Sequence, residues 1–126
     1  MTEQAETRSR VLLVEDEAMI AMLIEDMLVE LGCDVVATAA KLDDAVSLAQ
    51  SGSFDLAFLD LNLRGVASYP VAQALRERGI PFAFVTGYGT AGADPAYADT
   101  PVLQKPFREG HLEAVVQLLR ARRRLP

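Results

Sequence analysis

Short unbroken apolar runs recur along this chain and break off at polar side chains, and that rhythm constrains the fold more than any other feature. Val11-Leu12-Leu13-Val14 stops at Glu15-Asp16-Glu17, and Phe54 to Leu59 stops at Asp60. Phe82-Ala83-Phe84-Val85 runs into Thr86-Gly87, and Val102-Leu103 precedes Gln104-Lys105-Pro106. Runs this short, rich in branched and aromatic residues and without alternation, suit strands covered on both faces, as in a parallel sheet. Val35-Val36-Ala37 adds a fifth candidate strand.

Between these runs the period changes to that of helices. Ile20, Leu23, Ile24, Met27, Leu28 and Leu31 fall on one helical face, and Gly32 supplies the stop. Leu42, Ala45, Val46 and Ala49 mark a shorter helix closed by Ser51-Gly52. Pro70 opens a helix carrying Val71, Ala74 and Leu75 and ended by Gly79, and Leu112, Val115, Val116 and Leu119 define a closing one. Leu61 to Gly65 is predicted to be a loop. Thr90 to Thr100 contains Gly92 and Pro95 and has no apolar stripe, so the fourth helix of the alternating series is predicted to be short or disordered. Strands alternating with helices imply right-handed crossovers and a parallel sheet between two helical layers, a doubly wound α/β fold.

The 126 residues suffice for one domain, predicted over residues 10–126, with Met1 to Ser9 as a flexible tail lacking apolar period. No apolar run is long enough to span a bilayer, and the amino end lacks a signal-like stretch, so a cytoplasmic protein with no membrane association is expected. Lone Cys33, at the edge of an apolar segment, reads as a packed free thiol. The net charge of −6 argues against direct DNA binding and suits concentrated carboxylates that need a cation.

Ligands of open α/β sheets sit outside the carboxyl ends of the strands. Here those ends carry Glu15 and Asp16, Asp60, Thr86 and Lys105, four distant segments converging on one rim. Clustered carboxylates repel one another, and Mg²⁺, a hard cation that prefers oxygen, relieves the repulsion. Asp16 and Asp60 are the expected direct ligands, Glu15 acts through a water, and a backbone carbonyl near Asn62 completes the protein's share. A carboxylate can also attack phosphorus if charge on the equatorial oxygens is neutralised, and Lys105 and the Thr86 hydroxyl offer that, with Gly87 leaving access. Taken singly, an acid after a strand is often a helix cap, a threonine a turn residue and a lysine a solvated charge. Their joint occurrence at four strand ends favours the chemical reading. His111 reads as solvated, and the Arg120 to Arg124 cluster as a partner of the helix dipole rather than a nucleic-acid site. The chain holds no zinc-ligand spacing, no Ser/His/Asp arrangement and no GxxxxGK[ST] loop.

In that order and at those strand ends, VLLVEDE, LDLNL, FVTGYG and LQKPF resemble the receiver domain of two-component response regulators, over nearly all of residues 10–124. The resemblance implies a flavodoxin-like five-stranded sheet of order 2-1-3-4-5. It makes Glu15 and Asp16 the acidic pair, Asp60 the phosphoacceptor, Thr86 the switch hydroxyl and Lys105 the family's lysine, with a cis Lys105–Pro106 bond. It also implies Mg²⁺ as cofactor, and self-phosphorylation and self-dephosphorylation chemistry without a separate enzymatic activity. Its expected partners are a histidine kinase or phosphotransfer protein and a downstream signalling protein, the chain being a monomer or weak dimer. PFAFVTGYG is similar to a single-domain subgroup with a Phe-Ala-Thr-Gly-Tyr-like motif, Val85 replacing the alanine, which implies a stand-alone molecule without an output domain. Two departures stand out. Val102 occupies the place, three before the lysine, where most receivers carry an aromatic that moves with the threonine, so that coupling is not expected. The weak fourth helix lies where many receivers build their output surface, and residues 88–101 are expected to order on phosphorylation. Two competing readings are a receiver-like binding module that never carries phosphate and a haloacid-dehalogenase-like phosphatase. The latter places its nucleophile on the first strand with an acid two residues later, where this chain has Asn62 after Asp60.

Overall fold

In a computed structural model, which describes residues 8–87 and 94–124, five parallel strands form one sheet. They are β1 (Ser9–Val14), β2 (Cys33–Ala39), β3 (Leu56–Asp60), β6 (Phe82–Thr86) and β7 (Val102–Gln104), and a short ribbon of β4 (Asn62–Leu63) and β5 (Val66–Ala67) follows β3. The sheet order is β2-β1-β3-β6-β7, which is 2-1-3-4-5 once the ribbon is set aside. Among the described residues four α-helices flank the sheet: α1 (Ala18–Glu30), α2 (Leu42–Ser51), α3 (Tyr69–Glu77) and α4 (Glu109–Arg124).

Side chains alternate across a strand, so each central strand feeds two cores. Leu12 and Val14 of β1, Leu59 of β3 and Phe84 of β6 pack on one face with Ala45 and Ala49 of α2 and Val71 and Leu75 of α3. Val11, Leu13, Phe58 and Val85 pack on the other with Ile24 and Leu28 of α1 and Leu112, Val116 and Leu119 of α4. Every residue of β3 and β6 is buried, which is why these strands read as unbroken apolar runs. Cys33 is the packed free thiol expected. Among the described residues no helix is long and apolar enough to cross a membrane.

Several boundaries differ from the sequence expectations. The first strand begins at Ser9, inside the segment read as a tail. Ser9 pairs with Cys33, and the Arg120 guanidinium donates to its hydroxyl over 2.8 Å. Arg8 is ion-paired with Asp34, and Met1 to Thr7 lie outside the described residues. The second strand is longer than Val35 to Ala37 because it is a sheet edge, where Asp34, Val36 and Thr38 face solvent and break the apolar run. Leu61 to Gly65 is not a plain loop, since Asn62 pairs with Ala67 and Leu63 with Val66 across a turn made by Arg64 at φ 53° and Gly65 at φ 89°.

Within Thr90 to Thr100, residues 90–93 fall outside the described residues. The rest holds a single 3₁₀ turn, Pro95–Tyr97, where the Asp94 carboxylate accepts from the Ala96 amide at 2.8 Å. Aromatic contacts anchor that turn: the Tyr97 ring stacks on Tyr69 at 5.4 Å and 8°, stands edge-on to Phe84 at 5.7 Å, and lies under the Arg76 guanidinium at 4.2 Å. Such contacts contribute about 0.5–1.5 kcal/mol each beyond the area they bury.

Candidate phosphoryl-acceptor site

The carboxyl ends of β1, β3, β6 and β7 lie along one rim because the strands are parallel and in register: Val14 stands beside Leu59, Asp60 beside Val85, and Thr86 beside Gln104. A cavity of about 450 Å³ on this rim is bordered by Asp16, Asp60, Asn62, Thr86, Gly87 and Lys105, with Glu15 buried beside it. Among the described residues, a β-carbon at Gly87 would meet nothing within 4 Å.

Three carboxylates meet there. One oxygen each from Glu15, Asp16 and Asp60 lies within 4.8 Å of the others. The Glu15 side chain is only 1% exposed and that of Asp60 9%, so their charges are largely withdrawn from water. Lys105 binds both: its Nζ donates to Glu15 Oε1 at 2.9 Å and to Asp60 Oδ2 at 3.2 Å. Backbone amides complete the set, Glu17 N–H donating to Glu15 Oε2 and Asn62 N–H to Asp60 Oδ1. The Lys105 amide donates to the Thr86 carbonyl at 2.8 Å, which ties the lysine to the end of β6, and the following Lys105–Pro106 bond is cis.

Burial and the neighbouring Glu15 charge push the Asp60 carboxyl up to about 6, against the opposing pull of Lys105 and the Asn62 amide. Burial draws the Lys105 ammonium down, but its bonds to Glu15 and Asp60 and their charges hold it above its ordinary value. An anionic cluster whose donors are all oxygen fits a hard divalent cation such as Mg²⁺, which relieves the repulsion that the lone ammonium leaves.

The expected residues Glu15, Asp16, Asp60, Asn62, Thr86, Gly87 and Lys105 are thus brought together. Val102 is not among them. It packs half-buried in the core, opposite Phe84 in the pairing of β6 with β7, and the aromatic cluster of that region is built from Tyr69, Phe82, Phe84 and Tyr97 instead. His111 is exposed on α4, as a solvated residue should be, and does not line the cavity that holds Asp60. Arg120 and its neighbours do more than face the helix dipole: Arg120 reaches Ser9 and the Gly32 carbonyl, Arg122 the Asp99 carbonyl, and Arg123 pairs with Asp55. Sequence reasoning missed Arg64, which lines the cavity with its Nε 4.0 Å from Asp16 Oδ2. Its unusual backbone leaves no trace in a residue-by-residue reading.

Comparison with known proteins places this geometry in a lineage. Residues 11–117 match the family described as response regulator receiver domain. Among solved structures, SdrG from Sphingomonas melonis Fr1 is 40% identical with a TM-score of 0.76, over 94% of this chain and 98% of that one. The receiver domain of the sensor histidine kinase PA1611 from Pseudomonas aeruginosa PAO1, solved with a magnesium ion in its active-site cleft, is 27% identical with a TM-score of 0.77, over 90% of this chain and 98% of that one. A probable transcriptional regulator, ycf27 of Guillardia theta, is 31% identical over 89% of this chain and 45% of its own length, and the chain spans about half the length of the curated relatives it matches. The haloacid-dehalogenase reading gives way to these matches, as Asp60 ends the third strand of the sheet rather than the first. With its acids, threonine and lysine gathered at the carboxyl rim of a 2-1-3-4-5 sheet, the chain belongs to the response-regulator receiver-domain family.

Proposed function

We propose that the chain is a phosphoacceptor switch that takes a phosphoryl group onto Asp60 from a phosphohistidine of a histidine kinase or phosphotransfer protein, and signals by contact with a downstream protein. The observation that carries this reading is the Lys105 ammonium held 3.2 Å from Asp60 Oδ2, at an open cavity that Asp16 also lines and beside which Glu15 lies buried. In the transfer, an Asp60 oxygen forms the new O–P bond as the donor's N–P bond breaks, and the electron pair returns to the imidazole, which takes up a proton from solvent. Lys105 faces the phosphoryl oxygens, and Thr86 at the end of β6 offers its hydroxyl to one of them. Glu15, Asp16, Asp60 and the Asn62 backbone carbonyl would hold Mg²⁺, which would supply further counter-charge.

Incubation with Mg²⁺ and acetyl phosphate is expected to add the mass of one phosphoryl group, labile in base and absent from Asp60→Asn. No mass gain in the wild type sinks the proposal and leaves a receiver-shaped binding module.

Donor docking is supported by the surface beside the site. Leu23 stands exposed on α1 and lines an apolar groove of about 320 Å³ with Ile20, Ile24, Met27, Pro106 and Phe107, and Met19 and Met22 are exposed on the same helix. Exposed methionines of this kind adapt to a partner helix face. Met22→Glu is expected to slow transfer from a cognate phosphodonor protein by roughly tenfold while leaving the acetyl phosphate reaction unchanged. An equal effect on both donors, measured by phosphate incorporation, would remove α1 from the docking surface.

A further inference from the structure

Arg64 is an odd residue to find where it sits. It holds a left-handed backbone at φ 53°, beside Gly65 at φ 89°, in the turn of the β4–β5 ribbon. A residue with a β-carbon is disfavoured there, whereas glycine adopts that conformation freely. The turn is held by Asn62, whose side-chain oxygen accepts from the Gly65 amide at 2.6 Å, so the Arg64 side chain is not needed to close it. Its visible ion pair does not explain its presence either: the contact with Asp16 is 4.0 Å long on a side chain 66% exposed, a geometry that contributes little to stability. What the turn accomplishes is to set Arg64 in the lining of the cavity that holds Asp60, Thr86 and Lys105, with its guanidinium Nε 4.0 Å from Asp16.

Charge balance indicates a use for it. Glu15, Asp16 and Asp60 set against Lys105 and a divalent ion come close to neutrality. A phosphoryl group on Asp60 replaces one negative charge by roughly two and brings three acceptor oxygens. Two of the Lys105 donors are already engaged by Glu15 and Asp60. Among the described residues, Lys105 and Arg64 are the cations that line this cavity.

We propose that Arg64 is a second phosphoryl-binding cation, resting on Asp16 in the unmodified protein and swinging from it to the phosphoryl oxygens, so that it opposes metal binding before transfer and favours phosphate retention after it. This rests on the phosphoacceptor reading above. The planar fork of arginine suits two oxygens of one phosphoryl group, and its long side chain, already mostly in solvent, moves at little cost. The two effects have opposite signs, which a purely structural role would not produce.

The test is calorimetric and thermal titration of the full chain with Mg²⁺ alone, then with beryllium fluoride as a tetrahedral phosphoryl mimic. Arg64→Ala is expected to bind Mg²⁺ about threefold more tightly, Asp16 being relieved of a competing cation, and the mimic about tenfold more weakly. Arg64→Gly, which relieves the backbone, should fold at least as well as the wild type and reproduce both changes, while Arg64→Lys should recover part of the affinity for the mimic. If Arg64→Gly binds the mimic as the wild type does, or loses affinity for Mg²⁺ and mimic alike, the assignment of Arg64 is overturned while the phosphoacceptor reading stands. If the wild type itself takes up no mimic, both fall together.

Discussion

Asp60→Asn is expected to abolish phosphoryl uptake and yet to make the metal-free protein more stable, by about 1–3 kcal/mol near neutral pH. The gain follows from the company Asp60 keeps. Its carboxylate is 9% exposed, has an oxygen within 4.8 Å of oxygens of Glu15 and Asp16, and is pushed to about 6 from an ordinary 3.8 by burial first and Glu15 second. Ionising it therefore costs more in the fold than in the unfolded chain. For a carboxyl raised in this way the stabilising contribution is present below the unfolded value near 3.8 and lost as the pH rises through about 6. The amide keeps an oxygen to accept from Lys105 and has no ionisation to suppress. The advantage of the variant should accordingly be largest at about pH 8 and shrink toward about pH 5. Mg²⁺ should raise the melting temperature of the wild type and do so much less in the variant. Urea melts at the two pH values, with and without Mg²⁺, read all three signs. A variant less stable than the wild type at the higher pH would mean that Lys105 outweighs the mutual repulsion of the acids.

How far the fold could be read in advance depended on how completely each element is buried. β3 and β6 have water on neither face, so Phe58, Leu59, Phe84 and Val85 announce them without ambiguity. β2 is a sheet edge, and its exposed Asp34 and Thr38 conceal the ends of a strand that runs from Cys33 to Ala39. The β4–β5 ribbon contains two paired positions on each side, too few to carry any period. Ser9 was invisible as a strand residue because its partners, Cys33 and Arg120, come from distant parts of the chain. The weak fourth helix was legible in part: Pro95 and the missing stripe foretold that no regular helix would occupy Asp94 to Thr100, but the stacking of Tyr97 on Tyr69 joins residues that no local pattern connects.

The site was more legible than the loops around it, for a topological reason. A parallel sheet gathers every strand's carboxyl end on one rim, so an acid or lysine that terminates an apolar run is placed by the fold itself. Glu15, Asp60 and Lys105 were found in that way. Arg64 escaped because an arginine inside a predicted loop looks solvated, and only the left-handed turn turns it toward Asp16. The division of labour around Lys105 is likewise set by contacts between distant segments. Read from sequence, it served the phosphoryl group; in the structure its shorter bond is to Glu15.

That shorter bond gives Lys105→Ala two consequences. Glu15, with a side chain 1% exposed, and Asp60 would each lose a charged donor and keep only a backbone amide, so that the charge the pair carries stays buried without a counter-ion. Breaking a buried pair from one side costs about 3–5 kcal/mol, a large share of the 5–15 kcal/mol that holds a typical domain folded. The metal-free variant should therefore melt far below the wild type. Mg²⁺ should restore much of the difference, because a divalent ion at the three carboxylates takes over the neutralisation that the ammonium supplied, and its affinity should match or exceed that of the wild type. Phosphoryl uptake from acetyl phosphate, measured in saturating Mg²⁺ where the variant is folded, should still fall by roughly a hundredfold, since the charge facing the transferred oxygens is gone. Lys105→Met, which keeps the length of the chain without its charge, should behave like the alanine variant and so exclude lost packing as the cause. Metal-free stability equal to the wild type would show that Glu15 does not depend on the lysine, and loss of Mg²⁺ affinity would show that Lys105 organises the cation site itself rather than competing with the ion for Glu15 and Asp60.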